Sequence, residues 1–205
     1  MNRLIVLAVF LILPLRAEAQ KFSIAPQIGF YIPTDQLVQG IQGQPFDAAE
    51  LEAGPSFGAR VGLWFSDRFG IDVSGNYVPT TFRLVNNESE IASQDAKLFN
   101  GAAQAVLFIL PRSSPFSIYL NGGVGVVSRG GVAFTDAADK SDVAGVFGAG
   151  AAIRLGGLAL TLGADLFAYT ATVENGATSE SSFKQKDVQL KLGLGIPFGG
   201  SQIRR

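Results

Sequence analysis

The segment Lys186–Phe198, KDVQLKLGLGIPF, places an apolar residue at every second position: Val188, Leu190, Leu192, Leu194, Ile196 and Phe198. Between them stand Asp187, Gln189, Lys191, Gly193, Gly195 and Pro197. A period of two means a β-strand with one apolar face and one polar or small face. The same period recurs over residues 22–33, 54–66, 69–82, 98–110, 116–128, 143–154 and 158–172, so the chain reads as eight strands. Most of these run well past the roughly 5–6 residues common in soluble sheets. Eleven residues tilted near 40° rise about 28 Å, enough to cross the apolar band of a bilayer.

Charge placement sharpens the constraint. The strand cores carry Arg60, Asp72, Arg154, Asp165 and Lys191, and each falls on the parity opposite to the apolar face. A charge facing lipid at mid-bilayer costs about 2–4 kcal/mol, so an uncharged apolar parity is what a lipid-facing surface requires. Gly58, Gly62, Gly123, Gly125, Gly148, Gly150, Gly193 and Gly195 share the other parity and leave room there for Arg, Tyr and Gln.

The connections alternate in length. Four long segments, 34–53, 83–97, 129–142 and 173–185, alternate with short turns at 67–68, 111–115 and 155–157. Soluble hairpins are usually short throughout; membrane barrels have short turns on one side and long loops on the other. The first long segment carries four acids and no base. Phe22, Phe65, Phe69, Phe116 and Phe198 sit on the apolar parity at the short-turn ends of their strands, where an aromatic girdle would lie.

The first nineteen residues form a separate unit. Arg3 supplies a positive start, Leu4–Leu13 is an unbroken apolar run, and Ala17-Glu18-Ala19 is an A-x-A cleavage site before Gln20. This reads as a secretory signal peptide. Lys191, Gly193, Ile196 and Phe198 match a spacing of polar, glycine, apolar and aromatic residues that resembles the β-signal read by the outer-membrane barrel assembly machinery. Residues 20–198 resemble the small eight-stranded bacterial outer-membrane barrels, the OmpA transmembrane domain and its OmpX- and OmpW-like relatives. The resemblance implies an all-β, antiparallel, up-and-down transmembrane barrel with long extracellular loops, short periplasmic turns and a short tail, 199–205. It also implies an outer-membrane location after export, contact with membrane lipid and lipopolysaccharide, and a monomer. The peptidoglycan-binding module of full-length OmpA proteins has no counterpart in this sequence.

Composition limits the chemistry. There is no His and no Cys, so no histidine base, His-containing metal site, thiolate or disulfide is available. No catalytic constellation, metal site or cofactor motif stands out, and the reading is non-enzymatic. A net charge of −1 gives no reason to expect nucleic acid. Arg60 with Asp72, and Asp165 with Lys191, lie on neighbouring strands at similar depth; Tyr119, Tyr169, Asn121 and Gln104 are expected to join them. Because unpaired charge is costly in a narrow lumen, the expectation is a salt-bridged plug, with Arg154 included, in a structural or surface-interaction protein. Two alternatives stay open at this point: a narrow channel for ions or small hydrophobic solutes, and a secreted, lipocalin-like barrel with the apolar face turned inward.

Overall fold

The computed structural model describes residues 21–34, 38–39, 48–86, 89–132, 141–175 and 179–198. The expected signal peptide and tail lie outside the described residues. Eight long strands form the barrel: β1 (Lys21–Pro33), β4 (Gly54–Trp64), β5 (Phe69–Asn86), β6 (Ser89–Phe108), β7 (Phe116–Gly131), β8 (Ser141–Leu155), β9 (Leu158–Asn175) and β10 (Ser179–Phe198). Each pairs antiparallel with its sequence neighbour among these eight, and β10 returns to β1 through pairs from Phe22↔Phe198 to Pro33↔Asp187. The closed sheet leaves no edge in the membrane-height region, the condition for strands to stand in hydrocarbon.

Two short strands, β2 (Val38–Gln39) and β3 (Ala48–Leu51), lie inside the segment expected to be the first loop. β3 pairs with β5 from Leu51↔Phe82 to Ala48↔Val85. Two of the other long segments, 83–97 and 173–185, are also strand over their described residues. The β5–β6 ladder runs to Asn86↔Ser89 with a register shift at Leu84/Val85, and β9–β10 runs to Asn175↔Ser179. In the second and fourth of the expected long segments, the described residues thus extend the barrel as paired strands beyond the expected ends. Beyond the apolar band the alternation of apolar and polar residues fades, and the strand has no period to reveal it.

Parity decides which side chains face inward. Val124, Phe147 and Leu162 on the outer face are 62–63 % exposed, and Ile28, Phe57, Val73, Phe99 and Leu107 are exposed with them. Inside, Gln189 is wholly buried, and Asp72, Asp165, Gln104 and Lys191 are buried. Polar residues inside and apolar residues outside reverse a soluble barrel, so the lipocalin-like alternative falls.

Candidate functional site

The lumen is filled in layers, each assembled by register. Gly148 of β8 pairs with Asp165 of β9, and Gln189 of β10 pairs with Asp165 from the other side. Lys191, one inward position further along β10, forms an ion pair with the Asp165 carboxylate. Asn121 Nδ2 donates to Asp165 Oδ1 at 2.9 Å, and Gln104 Nε2 donates to Oδ2 at 3.4 Å. Across the barrel, Arg60 lies 3.6 Å from Asp72 and donates to Thr161 Oγ1 at 3.3 Å. Its guanidinium also stands 5.8 Å from the Tyr119 ring centroid. The layer thus holds two cations and two anions, Arg60, Lys191, Asp72 and Asp165, each close to a counter-charge. Pairing is what makes burial of these charges tolerable. Glycine makes the approach possible: a side chain at Gly148 would collide with Asp165 and Asn121, and one at Gly150 with the Tyr119 ring.

Toward the long hairpins, Gln189 Nε2 donates to Ser56 Oγ and Asn100 Nδ2 donates to Gln189 Oε1. Above this bridge Tyr31, Leu51, Val78, Leu98, Val127, Val146, Phe167 and Tyr169 form a buried apolar cluster, against which Phe82 and Leu84 pack. Tyr169 donates its hydroxyl to Asp187 Oδ2 at 2.6 Å in this upper layer. Tyr169, expected to join the lumen charges, thus stands above the charged layer, and Asp187 beside it is buried. Arg129 caps the cluster, donating to Asp142 at 2.6 Å.

Toward the short turns the lumen widens into a cavity of about 350 Å³. Its walls include Trp64, Phe108 and Tyr119 with the guanidinium groups of Arg60, Arg112 and Arg154. Trp64 Nε1 donates to Ser23 Oγ at 2.9 Å, and its ring meets Phe108 edge-on with centroids 5.6 Å apart. Arg112, in the turn between β6 and β7, lays its guanidinium 3.7 Å from the Trp64 ring centroid. Burial, then the neighbouring Arg154 cation, push Arg112 down to about 10. Arg154 donates to the Arg112 carbonyl at 2.9 Å and is exposed. This corrects its expected place among the buried charges: it shares their parity but stands at the mouth, where its strand ends.

The aromatic residues Phe65, Phe69, Phe116 and Phe198 are exposed on the outer face at the short-turn end, and Phe22 is half-buried beside Phe198 at 5.9 Å between ring centroids. In β10, Lys191 and Gly193 face the lumen while Phe198 faces outward. The sequence reading passed over Arg112, which sits in a turn with no period to place it. Trp64 was legible, because it has the inward parity of β4. Among the described residues no group of three or more His, Cys, Asp or Glu could hold a metal ion.

No protein-family model matches the sequence, and no curated protein matches it either. Solved structures do. The outer membrane protein OprG from Pseudomonas aeruginosa superposes with a TM-score of 0.66 at 13 % identity, covering 89 % of this chain and 97 % of that one. Outer membrane protein W of E. coli gives 0.57 at 16 % identity, covering 89 % and 100 %. AlkL, an outer membrane protein whose structure was determined in lipid bilayers, gives 0.56 at 14 % identity, covering 91 % and 93 %. The fold is that of the small eight-stranded outer-membrane barrels.

Proposed function

We propose that this chain is a non-enzymatic outer-membrane barrel with a sealed lumen, acting through the surfaces at its two ends rather than by conducting solutes. The observation that carries this reading is the layered interior. The paired charges of Arg60, Asp72, Asp165 and Lys191 lie under the Asn100–Gln189–Ser56 bridge, and both lie under the apolar cluster around Tyr31 and Phe167. An eight-stranded barrel has an interior just wide enough for side chains to fill. Here bulky side chains occupy it from mid-height to the long hairpins.

Membrane insertion is supported by the exposed apolar outer face and the Phe residues at its short-turn rim. Export by residues 1–19 and recognition of Lys191, Gly193, Ile196 and Phe198 by the assembly machinery belong to the same reading. The long-hairpin end is the surface offered outward, with lipopolysaccharide and adhesion as its candidate roles. There β6 continues past its last pair with β7 among the described residues, Ala96↔Gly131, and residues 91–95 are exposed.

The test is single-channel recording on the folded protein in planar bilayers, after a gel shift between unheated and boiled samples shows that it is folded. A silent membrane is expected. Reproducible steps that change when Lys191 or Asp165 is neutralised would make the lumen a narrow channel and overturn the sealed-barrel reading.

A further inference from the structure

The cavity at the short-turn end is open where the rest of the lumen is filled, and its chemistry is one-sided. Among the described residues, three arginines, Arg60, Arg112 and Arg154, and one acid, Asp67, line it. Arg60 is answered by Asp72, on the lumen side of the cavity. Arg112 and Arg154 thus bring two cations to the mouth, where Asp67 is the one acid among the described lining residues; Arg154 lowers the Arg112 value and Asp67 raises it.

The walls are not simply basic. Trp64, Val106, Phe108 and Ala152 provide an apolar surface, and Ser117 and Thr161 add hydroxyl groups. About 350 Å³ falls within the range of small-molecule sites, about 300–1,000 Å³, which combine apolar walls with a few placed polar groups. Arg112 lies over the Trp64 ring. A guanidinium in a stacked site presents its N–H donors around its rim, the geometry suited to a two-oxygen acceptor such as a carboxylate or phosphate.

We propose that this vestibule binds a small organic anion, a carboxylate or phosphate carried on a compact apolar body, that enters from the short-turn side. The anionic group sits between Arg112 and Arg154, and the apolar body lies against Trp64 and Phe108. The Arg60–Asp72 layer closes the far end, so the ligand is held rather than passed through. That the ligand is held rests on the sealed-lumen reading; its binding between Arg112 and Arg154 does not.

Trp64 is the sole tryptophan of the chain, which makes its emission a report from the cavity wall. Benzoate is titrated into the folded, detergent-extracted protein and followed by Trp64 emission. Saturation-transfer NMR of the benzoate protons provides a second readout that does not depend on the tryptophan. Benzoate should give a saturable response in both, while benzyl alcohol and benzylammonium at the same concentrations give none. Arg154→Gln removes one cation and the hydrogen bond to the Arg112 carbonyl, and should weaken benzoate binding by roughly tenfold, the scale of one charge-assisted contact. Arg112→Gln should weaken it at least as much. Equal responses to benzoate and benzyl alcohol would overturn the proposal, as would wild-type benzoate affinity in folded Arg154→Gln.

Discussion

Above the Asp165–Lys191 pair the lumen is packed by Tyr31, Leu98, Val127, Val146, Phe167 and Tyr169. Below the charged layer the same eight strands surround a cavity bordered by Ser23, Ala25, Ser117, Ala152, Ala159 and Gly195. Strand number and tilt set the width of a barrel, so width does not distinguish the two halves. The volume of the inward side chains does. Large residues at inward positions of β1, β6, β7, β8 and β9 fill the upper half; in the lower half Trp64, Phe108 and Tyr119 gather from β4, β6 and β7, and small residues of β1, β8, β9 and β10 leave the remaining space open. A barrel of one diameter thus carries a plug at one end and a vestibule at the other, with a neutral layer of two ion pairs between them.

The charged divide should respond most to substitution. Asp165→Asn leaves the buried Lys191 cation without its carboxylate and should cost about 3–5 kcal/mol of folding free energy, measured by urea unfolding in lipid vesicles. Asp165→Asn with Lys191→Met removes both charges and should recover much of that loss. A single-substitution cost under about 1 kcal/mol would mean that water solvates the layer, which would weaken the division between plug and vestibule.

Phe167 tests the packed half. It is almost fully buried in the apolar cluster, and Phe167→Ala should destabilise by about 3 kcal/mol in the same assay.

A smaller effect gives the sharpest contrast. Ala144 and Ala152 are inward residues of β8, one in the upper cluster and one on the cavity wall. Ala144→Leu forces extra volume into a filled layer and should cost about 2 kcal/mol. Ala152 packs beside Trp64, Phe108 and Tyr119 but also borders the cavity, so Ala152→Leu should cost less, about 1 kcal/mol. Equal costs for the two would erase the proposed difference in packing.

The eight strands, their inward and outward faces and the pairing of Arg60 with Asp72 and Asp165 with Lys191 could be read along the chain because alternation is local. A residue's parity follows from its neighbours two positions away, and neighbouring antiparallel strands bring counted depths together. The upper ends of β5, β6, β9 and β10 could not be read in this way. Apolar and polar residues do not alternate along them, so pairing with β3 or with each other leaves no period to read. Arg154 and Tyr169 had the inward parity, but parity does not report height. Arg154 stands at the mouth, and Tyr169 rises to meet Asp187.

By itself, the sequence determined the class of surface: an apolar exterior, a polar interior and a chain without histidine or cysteine chemistry. Each of these depends on residue type and on spacing along one strand. Tertiary structure decided the rest. The stagger of strands around the closed barrel brings Gly148 beside Asp165, places Gly150 against Tyr119, and leaves Arg112 of a turn over Trp64 of another strand. Layer heights and cavity volume emerge only when the ring closes, because each depends on how far every strand is displaced along its neighbour and on the sum of the side-chain volumes meeting at that level.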